Sequence, residues 1–223
     1  MNIQEMKATA AAARKKVVRE VDHFAKAERF IAVILTFTPL VLFLTDTCET
    51  TQGQWRSSIS NYVFMPKSYW FGSLLALAGA LFIFNGAQHM SAQQEEIDQV
   101  KRAKSRFGKG YNIIFGVALF GVIYFDHLNH TWLHYIFAGT FFGGCALAML
   151  LTKNTPLNTL GNVLGTLTLV SLGVHFLLEY GVWKQHNPFT LLWAEWIGLV
   201  LIAGYFIAES LQRDKEEIKA HLY

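Results

Sequence analysis

Five of the eight histidines, His127, His130, His134, His175 and His186, fall at the same end of a series of apolar runs, with Asp126, Glu179 and Glu195 beside them. On a helix, residues four apart face the same way. A helix starting near His127 would therefore line up His127, His130 and His134 as one stripe. Neutral imidazoles at i, i+4 can share one metal ion. His130, His134 and His175 would form such a trio, with Asp126 or Glu195 as a further ligand or general base. Zinc held there would polarise water or a carbonyl. The same groups could serve a different chemistry. His134, His175, Glu179 and Glu195 could wall a pocket for a lipid headgroup, roofed by Ser58 and Ser60, with Arg56 neutralising a phosphate. In the plainest alternative these histidines only cap helices and bond to carboxylates, a reading that best suits His127 and His186 on loops.

Other chemistries fit less well. His134 and His175 could be axial ligands of one haem, but the opposite end offers His89 no partner for a second. Ser58 and Ser60 lack the strand–turn–helix pattern of an activated serine. No lysine lies within the last apolar run to carry a Schiff base, and no glycine-rich phosphate loop is present.

What must position these residues is a set of six apolar runs, roughly Phe30–Leu44, Tyr69–His89, Tyr111–Phe125, Trp132–Leu151, Leu157–Val182 and Pro188–Leu211. A bilayer core takes about 17–25 apolar residues per helix, which the first and third reach only with their flanks. Of the 19 Lys and Arg, 16 lie in residues 1–29, 90–110, 152–156 and 211–223; only Arg56, Lys67 and Lys184 lie on the other side. Short loops rich in Lys and Arg mark the cytoplasmic face. The expected fold is all-α: a polytopic membrane protein with six transmembrane helices and cytoplasmic N- and C-termini, placed at a cell membrane such as a bacterial inner membrane. The expected organisation is a cytoplasmic amphipathic helix over 1–28, a bundle over 29–211 and a tail over 212–223. No cleavable signal peptide is expected, because the first 28 residues are polar. The basic residues are interleaved with acids and lack a stacking platform, which argues against nucleic acid and for anionic inner-leaflet lipid.

Smaller signals refine this picture. Asp46–Lys67, rich in hydroxyls and aromatics, reads as a cap over the outer mouth of the bundle. Opposite charges over Ser91–Lys109 suggest that the second and third helices extend beyond the bilayer. Gly139 with Gly143, and Gly161 with Gly165, give the small-residue spacing that lets helices approach closely, within the chain or in a homodimer. Cys48 outside and Cys145 inside the fourth helix are not expected to meet. Trp70, Trp132, Trp183 and Trp193 suit an interfacial belt. Asn85, Gln88, His89 and Asn162 read as polar groups at helix ends.

Three short stretches resemble the Frag1/DRAM/Sfk1 superfamily of membrane proteins: Ser58-Ile59-Ser60 with Pro66, His134-Tyr135-Ile136-Phe137-Ala138, and Glu195-Trp196. The likeness spans roughly residues 30–210 and implies the same six-helix layout and a role in lipid handling. The cluster Asp126, His127, His130 and the pair His175, Glu179 depart from that pattern. His130 and His134 also echo ceramidase-like hydrolases, which use three His, a Ser and an Asp around zinc, though in a different order. The expected function is binding of a lipid or small amphiphile, alone or as an accessory subunit. The alternatives are a zinc-dependent membrane hydrolase and a structural partner in a membrane complex.

Overall fold

The computed structural model describes residues 26–95, 109–152, 156–182 and 188–222, and among these it contains helices and no strand. Helix α1 spans Lys26–Thr45. A 3-10 turn follows at Ser60–Phe64, then α2 (Tyr69–Glu95), α3 (Asn112–Tyr124), α4 (Thr131–Leu151), α5 (Asn158–Leu177) and α6 (Leu191–Leu222). A 3-10 turn at Lys109–Tyr111 leads into α3, and a π turn at Leu178–Val182 ends α5. Five helices are long and apolar enough to cross a membrane. The sixth, α3, has 13 residues and so measures only about 20 Å. The amphipathic helix expected over 1–28 lies outside the described residues, apart from 26–28, which belong to α1. Residues 212–222, within the segment expected as a tail, continue α6 to Leu222.

Each helix from α2 to α6 packs against the next in the chain, and α4 also touches α6. Helix α1 closes the ring between α6 and α2. On its α6 side, the Trp196 indole donates to the Thr36 carbonyl at 2.9 Å, and Arg29 Nε donates to Ser210 Oγ at 2.6 Å. On its α2 side, His89 Nε2 lies 3.9 Å from the Glu28 carboxylate.

The ring follows from apolar stripes with alternating spacings of three and four. On α2 the buried positions are Phe71, Leu75, Ala78, Phe82 and Asn85; on α6 they are Leu192, Glu195, Leu199, Ile202, Phe206 and Glu209; on α1 they are Glu28, Ile31, Leu35, Thr38 and Leu42. The stripes meet around an aromatic centre. Phe82 packs edge-on against Phe141 and Phe206, with ring centroids 5.6 and 5.2 Å apart. Each of these stripes ends in a carboxyl or amide, Glu28, Asn85 and Glu209, at one end of the bundle, and Glu195 enters the interior near the other.

Glycine sets the closest approaches. Between α4 and α5, a Cβ on Gly161 would lie 2.8 Å from the Met149 carbonyl oxygen, and one on Gly165 2.7 Å from that of Ala146. Gly79 and Gly116 abut in the same way between α2 and α3. The second pair expected from sequence differs: Gly139 and Gly143 face open space within the chain, with nothing within 4 Å of an added Cβ. Overpacking at a tight helix contact costs about 1–3 kcal/mol, whereas an open helical Gly→Ala gains up to about 1 kcal/mol. Gly165→Ala will therefore lower the thermal midpoint of the purified protein, and Gly143→Ala will leave it unchanged or raise it, as read by a thermal-shift assay.

A buried carboxylate cavity beneath a docked loop

At one end of the bundle the segment between α1 and α2 folds down onto α6. Gly53, at φ 77°, takes the left-handed turn a side chain would resist. Two hydrogen bonds then dock the strand of loop that follows. Leu192 N–H donates to the Ser57 carbonyl at 2.8 Å, and Ile59 N–H donates to Glu195 Oε2 at 2.7 Å. Leu192 and Glu195 are three apart on α6, so one helix face receives both. Within the loop, Ser58 Oγ lies 3.1 Å from Ser60 Oγ and accepts the Asn61 N–H at 3.2 Å. Trp55 seals the junction, stacked 4.0 Å from Phe43 and tilted against Trp193 and Trp196 at 5.6 and 5.2 Å.

A second anchor holds the root of the loop. Arg56 Nε donates to Asp46 Oδ2 at 2.7 Å in a pair whose side chains are 10% and 1% exposed. Arg56 Nη1 donates to the Asn61 carbonyl, Nη2 to Thr51 Oγ1, and the guanidinium lies 5.5 Å from the centre of the Tyr62 ring. Asp46 also accepts from Cys48 N–H and Thr51 Oγ1, both at 3.0 Å. Arg56 is thus committed to Asp46 and the loop backbone and does not line the cavity below, contrary to its expected role over a phosphate.

Beneath the loop lies a cavity of about 50 Å³ walled by α1, α2, α3, α4, α6 and the loop. Its lining is apolar except for Glu195, His134, Ser60 and Thr38. Glu195 and His134 sit on the core stripes of α6 and α4, about one turn from the start of each helix, and both are buried. Among the described residues the Glu195 carboxylate bonds to the Ile59 N–H and to no basic side chain. His134 Nδ1 lies 2.8 Å from the carbonyl of Phe125 at the end of α3. A carbonyl only accepts, so Nδ1 carries the hydrogen and Nε2 of the neutral ring keeps a lone pair. Thr38 turns its hydroxyl back to the Ile34 carbonyl at 2.7 Å.

The other expected site residues do not join this cavity. His175 is buried on the far side of α6, its Nδ1 2.9 Å from the Phe189 carbonyl. Its stripe on α5, Gly161, Gly165, Thr168 and Ser171, is small and polar because it packs against α4 and α6; Ser171 Oγ bonds to the Ala194 carbonyl at 3.3 Å. Glu179 lies half-buried in the π turn that follows. The stripe drawn from His127 is also broken, because α4 starts at Thr131 and His130, before it, has φ −133°. His130 is exposed against Phe125. His127 does reach His134 from the turn, with rings 5.7 Å apart. Asp126 spends both oxygens on Asn129 and on the Leu128 N–H, and the Asn129 bonds foremost hold its carboxyl below its ordinary value. Among the described residues, no three His, Cys, Asp or Glu stand close enough to hold a metal ion, so His130, His134 and His175 do not form the expected centre. His186 and Trp183 lie outside the described residues.

A polar cluster at the opposite end was not expected as such. Glu28, Asn85, Asn112, Glu209 and Ser210 are all buried there, and Asn112 Nδ2 donates to Asn85 Oδ1 at 2.7 Å. The signal was present in the sequence. Asn85 and Glu209 each occupy the next position of an apolar stripe, three residues after Phe82 and Phe206.

The Asp46–Arg56 pair gives a pH dependence. Burial of Asp46 works to raise its pKa, but the Arg56 guanidinium and the donors from Cys48 and Thr51 outweigh it, and the carboxyl lies below its ordinary value of 3.8. A depressed carboxyl contributes stability that is fully present above the unfolded-state pKa and is lost as pH falls through the folded-state one. The thermal midpoint will be insensitive to this pair above about pH 5 and will fall below about pH 4. Asp46→Asn will cost about 3 kcal/mol at neutral pH and flatten that acid limb, as measured by melting across a pH series.

Comparison with known proteins adds one relation. No curated protein and no solved structure matches the chain. A model for a family of unknown function, DUF7103, matches residues 37–210. The match runs from the middle of α1 to Ser210 on α6, so it takes in the docked loop and both ionisable residues of the cavity. The chain belongs to this family of unknown function, DUF7103.

Proposed function

We propose that this chain is a multi-pass membrane protein that binds the head of a lipid or other small amphiphile in the cavity beneath the docked loop. The observation that carries this reading is the pairing of Glu195 and His134 in an otherwise apolar chamber built by five helices. Ionisable groups among membrane helices are costly and characteristically mark a ligand or ion site. An apolar pocket with a few convergent polar groups is the usual form of a small-molecule site. The helix lengths and the one-sided Lys and Arg support the membrane placement, with the loop end facing away from the cytoplasm. A structural role in a larger complex would not call for a carboxylate in the chamber, and a zinc hydrolase would need ligands that here lie on separate surfaces.

Two measurements test this reading. Ala138 lines the cavity and is half-buried, so Ala138→Phe puts a ring into the chamber while keeping both Glu195 and His134. Mass spectrometry of solvent extracts will find an amphiphile retained stoichiometrically by the wild type and lost from Ala138→Phe; identical extracts from the two proteins would refute the binding role. The orientation has a built-in reporter. Hydrogen bonds from Thr50 and then Thr51 bring the loop thiol of Cys48 down to about 7, whereas Cys145 is buried. A membrane-impermeant maleimide will label Cys48 on intact cells, with a rate that rises through pH 7 as the thiolate forms. Labelling that requires lysis would place the loop inside.

A further inference from the structure

The chamber's polar groups identify the class of head it takes, an inference that rests on the binding reading above. They are acceptors. The Glu195 carboxylate has only acceptor oxygens when ionised. His134 has already used its Nδ1 hydrogen on Phe125, leaving Nε2 as an acceptor. Ser60 Oγ, paired with Ser58 Oγ, retains an accepting lone pair. No cation balances the carboxylate among the described residues, because the nearest guanidinium in the loop, Arg56, is fully engaged by Asp46, Thr51 and Asn61. An anionic head would therefore find a carboxylate and no counter-charge. A buried charge without a partner is costly, and a ligand that brings the opposite charge removes that cost.

We propose that the ligand's head is a primary ammonium. It carries three donors, no acceptor and one positive charge, which complements Glu195, His134 and Ser60 together. Size narrows the class. The cavity of about 50 Å³ holds about four water-sized groups. That accommodates an ammonium with its first methylenes against Leu35, Leu75 and Leu199; a trimethylammonium carries the charge but has no N–H donor for these acceptors. The amine could belong to a membrane amphiphile or to a small soluble molecule. The apolar lining favours the former, and the test separates the two.

The test uses the purified full chain in nonionic detergent and native mass spectrometry. The probes are an n-alkylamine, the alkyltrimethylammonium, the alkyl alcohol and the alkyl phosphate of one chain length, with ethylamine as the soluble arm. The alkylamine will bind roughly tenfold or more tighter than each of the other alkyl probes, a preference of about 1.4 kcal/mol. Glu195→Gln will reduce the amine to the level of the alcohol. Ala138→Phe will abolish binding of all four. Ethylamine binding as tightly as the alkylamine would assign the site to soluble amines and leave the ammonium assignment intact. Equal affinity of amine and alcohol, a preference for phosphate or trimethylammonium, or unchanged amine binding in Glu195→Gln would overturn the assignment while leaving the cavity as a binding site. Binding of no probe would overturn both. The wild-type ranking decides the question even if Glu195→Gln does not fold.

Discussion

A buried carboxyl on the core stripe of α6 has to find a partner inside the protein, and the loop between α1 and α2 is the answer the fold provides. The Ile59 N–H supplies one hydrogen bond to Glu195 at 2.7 Å. The Ser57 carbonyl supplies the complementary bond to the start of α6. Because the two contacts lie three residues apart on one helix, they fix both the position and the direction of the loop. Everything else at this end is arranged around that docking. Trp55 fills the angle between α1 and α6, Ser60 and Ile59 become the roof of a chamber, and the chamber has an acid in its wall.

The same constraint explains why Arg56 and Asp46 pair so closely. A loop pressed onto an apolar bundle cannot leave a guanidinium unsatisfied, and Asp46 follows directly on α1, where its carboxylate meets Arg56 and two donors of the loop. The pair is therefore part of the cap's construction, and Glu195 is left as the one carboxyl in the chamber below. At the other end of the bundle, Glu28, Asn85, Asn112, Glu209 and Ser210 form a second buried polar layer, so the aromatic centre at Phe82, Phe141 and Phe206 is bracketed by polar groups.

The helices were legible because their apolar runs are long and their charges sort to one side. The cap was legible from its hydroxyls and aromatics, and the close packing at Gly161 and Gly165 from their spacing. Glu195 and His134 were legible too, as ionisable residues on apolar stripes near one end. The polar layer at Asn85 and Glu209 was equally visible in the stripes but reads as helix ends unless the spacing is followed one step further. Gly139 and Gly143 have the same spacing as the other glycine pair, and nothing in the chain distinguishes a face turned inward from one turned out.

The sequence by itself determined the number of helices, their core faces and the depth at which ionisable groups lie, because these depend on composition and on a local period of 3.6 residues. Only the tertiary structure decided which groups at that depth share a chamber. His175 and Glu195 both lie near the same end of the bundle, yet one turns to the Phe189 carbonyl and the other to Ile59. Depth along a helix is fixed by counting residues, whereas the direction a side chain finally faces depends on the order of the helices around the bundle. That order is set by packing between distant segments, such as the Trp196 indole on Thr36 and the loop on α6, and no local pattern encodes it.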